Sequence, residues 1–137
     1  MSNFKFSKRS LDNLATCHDD LQRVAHLALK YSSTDFTITE GVRAVERQKE
    51  MVRIGASKTM NSYHLDSKDG VIDGKGMALD FYCYYDGKVQ VNAPISKFAE
   101  VANAFKKAAK ELGLMIEWGG DWKSFIDAPH VQLLGKA

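Results

Sequence analysis

Apolar residues in this chain recur first at helical and then at alternating spacing. Leu21, Val24, Ala25 and Ala28 share one face of a helix predicted from Asp19 to about Tyr31. Asp19 and Asp20 open it at the end where the helix dipole favours acids, and Gln22, Arg23, His26 and Lys30 point to water. A shorter helix precedes it, capped by Ser10 and running to about Cys17. After the break Ser32-Ser33-Thr34, the run Asp35 to Glu40 alternates polar and apolar residues as a half-buried strand does, with Phe36 and Ile38 inward. Gly41-Val42-Arg43 ends that strand, and Val45 to Ile54 reads as an amphipathic helix stopped by Gly55.

The second half returns to alternation. Gly76 to Tyr85 is a predicted strand with Met77, Leu79 and Phe81 on one face and Gly76, Ala78 and Asp80 on the other. An acid flanked by small residues leaves room for a ligand. Asp86-Gly87 makes a hairpin turn into Lys88–Val91. Pro94 and Ile95 begin the longest helix, capped near Asn92 or Ser96, with the stripe Phe98, Val101, Ala102, Phe105, Ala108, Ala109 and Leu112 facing the core and Gly113 closing it. Leu114–Trp118 is a buried strand, Gly119-Gly120-Asp121-Trp122 a turn, and His130–Leu134 the last strand. The order αα-β-α-β-β-α-β-β predicts an α+β fold, a small, mainly antiparallel sheet packed with helices, over residues 1–137 as one domain.

Composition narrows the classes. A chain of 137 residues with 45% hydrophobic and 26% charged residues can bury a core without disulfide staples, and is neither disordered nor collagen-like. A net charge of +2 is too small to argue for nucleic acid. No apolar run approaches the ~18 residues of a membrane span. Cys17 and Cys83 match neither a zinc-ribbon spacing nor a disulfide framework, so both are expected to be reduced, partly buried small apolar residues. No apolar segment follows the basic N-terminus, which predicts a protein held in a cytoplasm until something else releases it. Nothing demands more than a monomer.

The candidate chemistry lies with the histidines. His18 and His26 occupy polar helical positions and read as surface residues, whereas His64 and His130 lie beside acids in strand or loop context. In Asp127-Ala128-Pro129-His130, proline favours an extended backbone that repeats every three residues, so Asp127 and His130 should project to one side. Two imidazoles and one carboxylate make a three-ligand zinc site with a fourth position for water, and a remaining acid can take that water's proton. Residue types alone leave Asp80 and Asp127, and Asp66, Asp69 and Asp73 in the stretch 65–75, open as the carboxylates; the last three could instead form a Ca²⁺ loop, but their spacing does not match an EF-hand and the stretch reads first as a solvated β-excursion. A serine hydrolase built from Ser62, His64 and Asp80 lacks a Gly-x-Ser-x-Gly elbow, Cys17 and His18 diverge on a helix, and His-Glu-x-x-His is absent.

Ser62-x-His64, Gly76-x-Ala78-x-Asp80, Trp118-Gly119-Gly120-Asp121-Trp122 and Asp127-x-x-His130, in that order, resemble the M15 family of zinc peptidases, which share the LAS-type fold with D-Ala-D-Ala peptidases. Within it the chain is most similar to single-domain phage endolysins that cut the L-alanyl-D-glutamate bond of peptidoglycan. The resemblance implies that His64, Asp80 and His130 bind Zn²⁺, that Asp127 is general base and later acid, and that Arg43 steadies the substrate carbonyl as charge develops on it. It implies bacterial peptidoglycan as partner, with neither nucleic acid nor membrane. The stretch between His64 and Asp80, fifteen residues from Leu65 to Leu79, is longer than the family's usual interval. Glu117 is a rival base, Gln48 a candidate substrate contact, and Asp121 a turn residue or a partner of a ligand histidine; Trp118 and Trp122 read as wall and core. A D,D-carboxypeptidase or D,D-dipeptidase, and an inactive metal-bearing wall-binding module, are the competing functions.

Overall fold

The computed structural model describes residues 2–57, 62–65 and 74–137. Four helices and five strands follow in the expected order: α1 (Lys8–Leu14), α2 (Asp19–Tyr31), β1 (Phe36–Glu40), α3 (Val45–Arg53), β2 (Ala78–Tyr85), β3 (Lys88–Val89), α4 (Ile95–Glu111), β4 (Leu114–Trp118) and β5 (His130–Lys136). A single 3-10 turn covers Gly119–Asp121. The strands form one antiparallel sheet in the order β1-β2-β5-β4, with β3 paired to β2 as a hairpin. Asp86 and Gly87 both take positive φ, 55° and 75°, as a tight two-residue hairpin turn requires.

Alternation along the strands separates two faces. Leu79, Phe81, Val131 and Leu133 point toward α2 and α4, where Phe36, Phe81, Phe98 and Phe105 form a ring cluster with centroids 5.4–5.9 Å apart. Asp80, Tyr82, His130 and Gln132 alternate with those residues and belong to the opposite face. Packing α2 and α4 on one side thus turns the chemical residues to the other. Both cysteines are free and wholly buried, more deeply than composition suggested, and burial pushes their thiols up, Cys17 to about 12 and Cys83 to about 11.

Helix ends differ from expectation at three places. The N-cap of α1 is Ser7, whose Oγ accepts from Ser10 N–H, while Ser10 turns inward to Thr37 Oγ1 and Ile38 N–H. Burial claims Ser10 for the α1–β1 seam, and the helix stops at Leu14. His18 is the N-cap of α2, its Nδ1 accepting from Asp20 N–H at 3.1 Å, whereas His26 is exposed and meets the Phe6 ring edge-on. Helix α4 starts after Pro94 with no side-chain cap, so neither Asn92 nor Ser96 caps it.

Candidate metal centre

Strand register creates the site. In the β2–β5 ladder Asp80 stands opposite His130, and in the β1–β2 ladder Glu40 stands opposite the same Asp80. A bulge between Ile38 and Glu40 shifts β1 to make that second match. Glu40, Asp80 and His130 therefore form one row across three strands.

His64 reaches this row from a loop tied down on three sides. Met77 N–H donates to Tyr63 C=O at 2.7 Å, and Arg43 N–H donates to His64 C=O at 2.7 Å. Gly76 lies so close to His64 C=O and Val42 Cα that an added Cβ would sit 2.9 and 3.0 Å from them. Gly76 and Met77 thus lie beside His64 and Tyr63, and His64 meets Asp80 across sixteen positions of sequence. Asp66, Asp69 and Asp73, and with them the calcium-loop alternative, lie outside the described residues.

Three ligand-type atoms converge. His64 Nε2 is 3.2 Å from Asp80 Oδ1, His130 Nδ1 is 3.2 Å from His64 Nε2, and His130 Nδ1 is 3.7 Å from Asp80 Oδ1. Both rings are buried, at 1% and 5% exposure. Each commits its other nitrogen as a donor: His64 Nδ1–H to the Gly41 carbonyl at 2.9 Å, and His130 Nε2–H to the Gln132 amide oxygen at 2.8 Å. A carbonyl oxygen can only accept, so each ring, when it carries a single proton, turns a bare lone pair toward the other and toward a carboxylate. Such a set repels itself unless a cation lies among its atoms. His64, Asp80 and His130 can hold a metal ion, and they are the one such group among the described residues.

Burial acts against every charge here. It pushes the Asp80 carboxyl up, but His64 and His130 outweigh it and hold Asp80 well below the usual carboxylate range. Burial and the neighbouring Asp80 charge raise Asp127, with His130, His64 and Arg43 offsetting them only in part. Burial also opposes a proton on His130, yet Asp80 beside it raises its pKa.

Asp127 approaches from the loop before β5, with Oδ2 4.0 Å from His130 Nδ1. Its main chain is clamped, since Asp127 N–H donates to Gly119 C=O at 3.0 Å and His130 N–H donates to Asp127 C=O at 3.1 Å. A Cβ on Gly119 would meet Asp127 C=O at 2.2 Å, which explains a glycine directly after Trp118. Trp118 Nε1–H holds the same loop through Ala128 C=O at 2.7 Å. Arg43, buried, places Nη2 3.8 Å from Asp80 Oδ2.

These groups line a cleft of about 500 Å³ walled by Tyr63, Tyr82, Trp122 and Phe125. Trp122 tilts against His130 with centroids 5.1 Å apart, and Trp118 packs in the core, so the two tryptophans divide into wall and core. Three other candidates have different partners. The Glu117 carboxylate accepts from Trp122 Nε1–H, Asp121 pairs with Lys106 Nζ at 2.6 Å on the surface, and Gln48 is fully buried against Arg43. Ser62 Oγ accepts the backbone N–H of His64, not its ring. Glu40 and Gln132 were missed in the sequence, where each looks like an ordinary strand residue. Their signal was positional: Gln132 sits two residues from His130 and Glu40 three before Arg43.

A family model described as phage L-alanyl-D-glutamate peptidase matches residues 1–134. The chain is 39% identical over 124 residues to the L-alanyl-D-glutamate peptidase of Escherichia phage T5, covering 90% of this chain and 85% of that protein. It is 36% identical over 135 residues to the L-alanyl-D-glutamate peptidase of Listeria phage A118, covering 96% of this chain but 43% of the longer phage protein. Among solved structures it is similar to the L-Ala D-Glu endopeptidase ChiX of Serratia marcescens, with a TM-score of 0.81, 41% identity and coverage of 96% and 91% of the two chains.

Proposed function

Because this chain belongs to the phage L-alanyl-D-glutamate peptidase family, we propose that it is a zinc-dependent endopeptidase that cuts the L-Ala–D-Glu bond of peptidoglycan stem peptides. The observation that carries this reading is the pair of imidazole lone pairs, His64 Nε2 and His130 Nδ1, facing one another at 3.2 Å beside Asp80. A tetrahedral ion with bonds of about 2.0–2.1 Å spaces its ligand atoms about 3.3 Å apart. The separations of 3.2, 3.2 and 3.7 Å suit zinc, and two imidazoles with one carboxylate are a zinc donor set. Calcium, which takes six to eight oxygens, fits this nitrogen-rich trio poorly.

Zinc held by these three residues would supply a Lewis acid for the scissile carbonyl and lower the pKa of a water. The remaining work falls to side chains. Asp127 takes the proton of the attacking water at a carboxylate oxygen and returns it to the departing amine of D-glutamate. Its place beside His130 and its raised affinity for a proton support both halves of that task. Arg43 directs its guanidinium at the substrate carbonyl oxygen as negative charge grows there. The aromatic walls hold the stem peptide and limit water. Family membership supports a phage endolysin that acts on bacterial peptidoglycan.

Digestion of purified sacculi followed by mass spectrometry tests this reading. New N-terminal D-glutamate is the expected product. Released D-alanine alone would assign the protein to the D,D-carboxypeptidases or D,D-dipeptidases, and binding to sacculi without any cleavage would make it a wall-binding module.

A further inference from the structure

Arg43 does not stand free in the cleft. Its Nε–H and one Nη2–H donate to the two oxygens of Glu40 at 2.7 and 2.9 Å, and one Nη1–H donates to Gln48 Oε1 at 2.7 Å. An arginine has five N–H donors, so three are committed and one remains on each terminal nitrogen. The side chain is 5% exposed, and a guanidinium so buried needs both a counter-charge and acceptors. Glu40 supplies the charge from the end of β1, through the bulge that also sets it opposite Asp80. Gln48 supplies a neutral acceptor from α3 and is itself held, since its Nε2 donates to Ser57 Oγ at 2.9 Å. The backbone of the same segment is joined to the metal centre, with His64 Nδ1–H on Gly41 C=O and Arg43 N–H on His64 C=O.

We infer that Glu40 and Gln48 are positioning residues for the reaction, a two-sided clamp that locks the Arg43 guanidinium plane and leaves one donor on each terminal nitrogen for the substrate carbonyl. This rests on the proposed role of Arg43 in the peptidase reaction. Bidentate pairing with a carboxylate fixes a guanidinium in both position and plane, which a single contact cannot do. Gln48 is wholly buried, so it serves the substrate through Arg43 and not by touching it. The clamp also cancels the Arg43 charge over the site as a whole. Its contribution therefore lies in orientation at the transition state more than in attraction of an anionic substrate, which places the effect on kcat more than on KM.

The test compares Glu40→Ala, Glu40→Gln, Gln48→Met, Arg43→Ala and the Glu40→Ala/Arg43→Ala double variant of the full chain. Cleavage of a soluble stem peptide, metal content and the Arg43 side-chain Nε–H signal by NMR are measured for each. Glu40→Ala and Gln48→Met are expected to lower kcat about tenfold or more while KM moves less than about threefold and metal content is unchanged. Glu40→Gln, which keeps an acceptor oxygen, is expected to recover part of the loss. In the Arg43→Ala background Glu40→Ala should cost nothing further, because a residue acting through Arg43 has no effect without it. The Nε–H signal, protected in the parent protein, should broaden or vanish in Glu40→Ala. Additive losses in the double variant, or an Nε–H signal indifferent to Glu40→Ala, would overturn the clamp. A Glu40-dependent signal combined with full cleavage by Arg43→Ala would refute the role of Arg43 instead.

Discussion

Asp80 and His130 are direct cross-strand partners in the β2–β5 ladder, and their ligand-type atoms lie 3.7 Å apart on the face away from α2 and α4. Side chains directly opposite in an antiparallel pair have Cβ atoms about 4.5–5.5 Å apart, so the ladder itself brings a carboxylate and an imidazole within reach of one ion. The sheet is thus part of the metal site. A one-residue slip of β5 would turn His130 into the core and Val131 into the cleft.

Metal removal follows first from that arrangement. A chelator is expected to abolish cleavage and added Zn²⁺ to restore it. His64→Ala or Asp80→Ala should lower the zinc-to-protein ratio measured by elemental analysis. An ion bound only by the folded state stabilises it by about 2.7 kcal/mol at a hundredfold excess over Kd, so the thermal midpoint should rise on zinc addition. Cleavage that survives complete demetallation would exclude a metal-dependent reaction.

Asp127 separates proton transfer from metal binding. Asp127→Ala is expected to keep zinc and the fold yet lose about 10²–10⁴-fold in kcat, the usual worth of general acid–base catalysis. Loss of zinc together with activity would instead make Asp127 a ligand. Equal activity would remove it from the mechanism.

Gln132 holds the His130 ring by accepting Nε2–H at 2.8 Å. Gln132→Leu leaves that donor without a partner and frees the ring to turn. Zinc affinity measured by competition with a chelating dye should fall about 10–100-fold, as for other partners of metal-bound histidines. An unchanged affinity would show that packing against Trp122 suffices to fix the ring.

The two cysteines predict a pH response. Burial holds Cys17 near 12 and Cys83 near 11 against an ordinary value of 9.0. At pH 8 a thiol reagent should label neither in the native protein and both after denaturation. Above pH 9 the unfolded chain gives up these protons while the folded chain keeps them. The unfolded state then binds fewer protons, so stability should fall as pH rises from about 9. Denaturant titrations at pH 8 and pH 10 check the sign, and Cys17→Ala should reduce the difference.

Much of this was legible in the chain because it is local. Periodicity is a property of neighbouring residues, so the positions of α2, β1, β2, α4 and β4 follow from spacing, as does the α+β class, although β4, expected to be buried, lies at the sheet edge with Met115 exposed. The helix caps were less legible: Ser7 and Ser10 have the same chemistry, and only the depth of the α1–β1 seam decides which one caps. Glu117 and Asp121 could not be sorted from sequence, because a carboxylate on a strand or turn has no preferred partner until the sheet chooses its faces.

What the sequence determined by itself is the order of elements, the motifs around His64, Asp80, Asp127 and His130, and through them the family. Those features are written in local pattern and residue type. The tertiary structure decided which atoms meet. Strand register put Asp80 against His130, backbone bonds set Met77 beside Tyr63 and Arg43 beside His64, and carbonyl acceptors at Gly41 and Gln132 chose the nitrogens that face the cleft. The β1 bulge and α3 turned Glu40 and Gln48 onto Arg43. The contacts among His64, Asp80 and His130 join residues far apart in the chain and arise when burial of the apolar faces fixes the pairing of strands. Those of Glu40 and Gln48 with Arg43 and of Gln132 with His130 are near in sequence, yet which side chains turn to one another depends on the faces the fold buries.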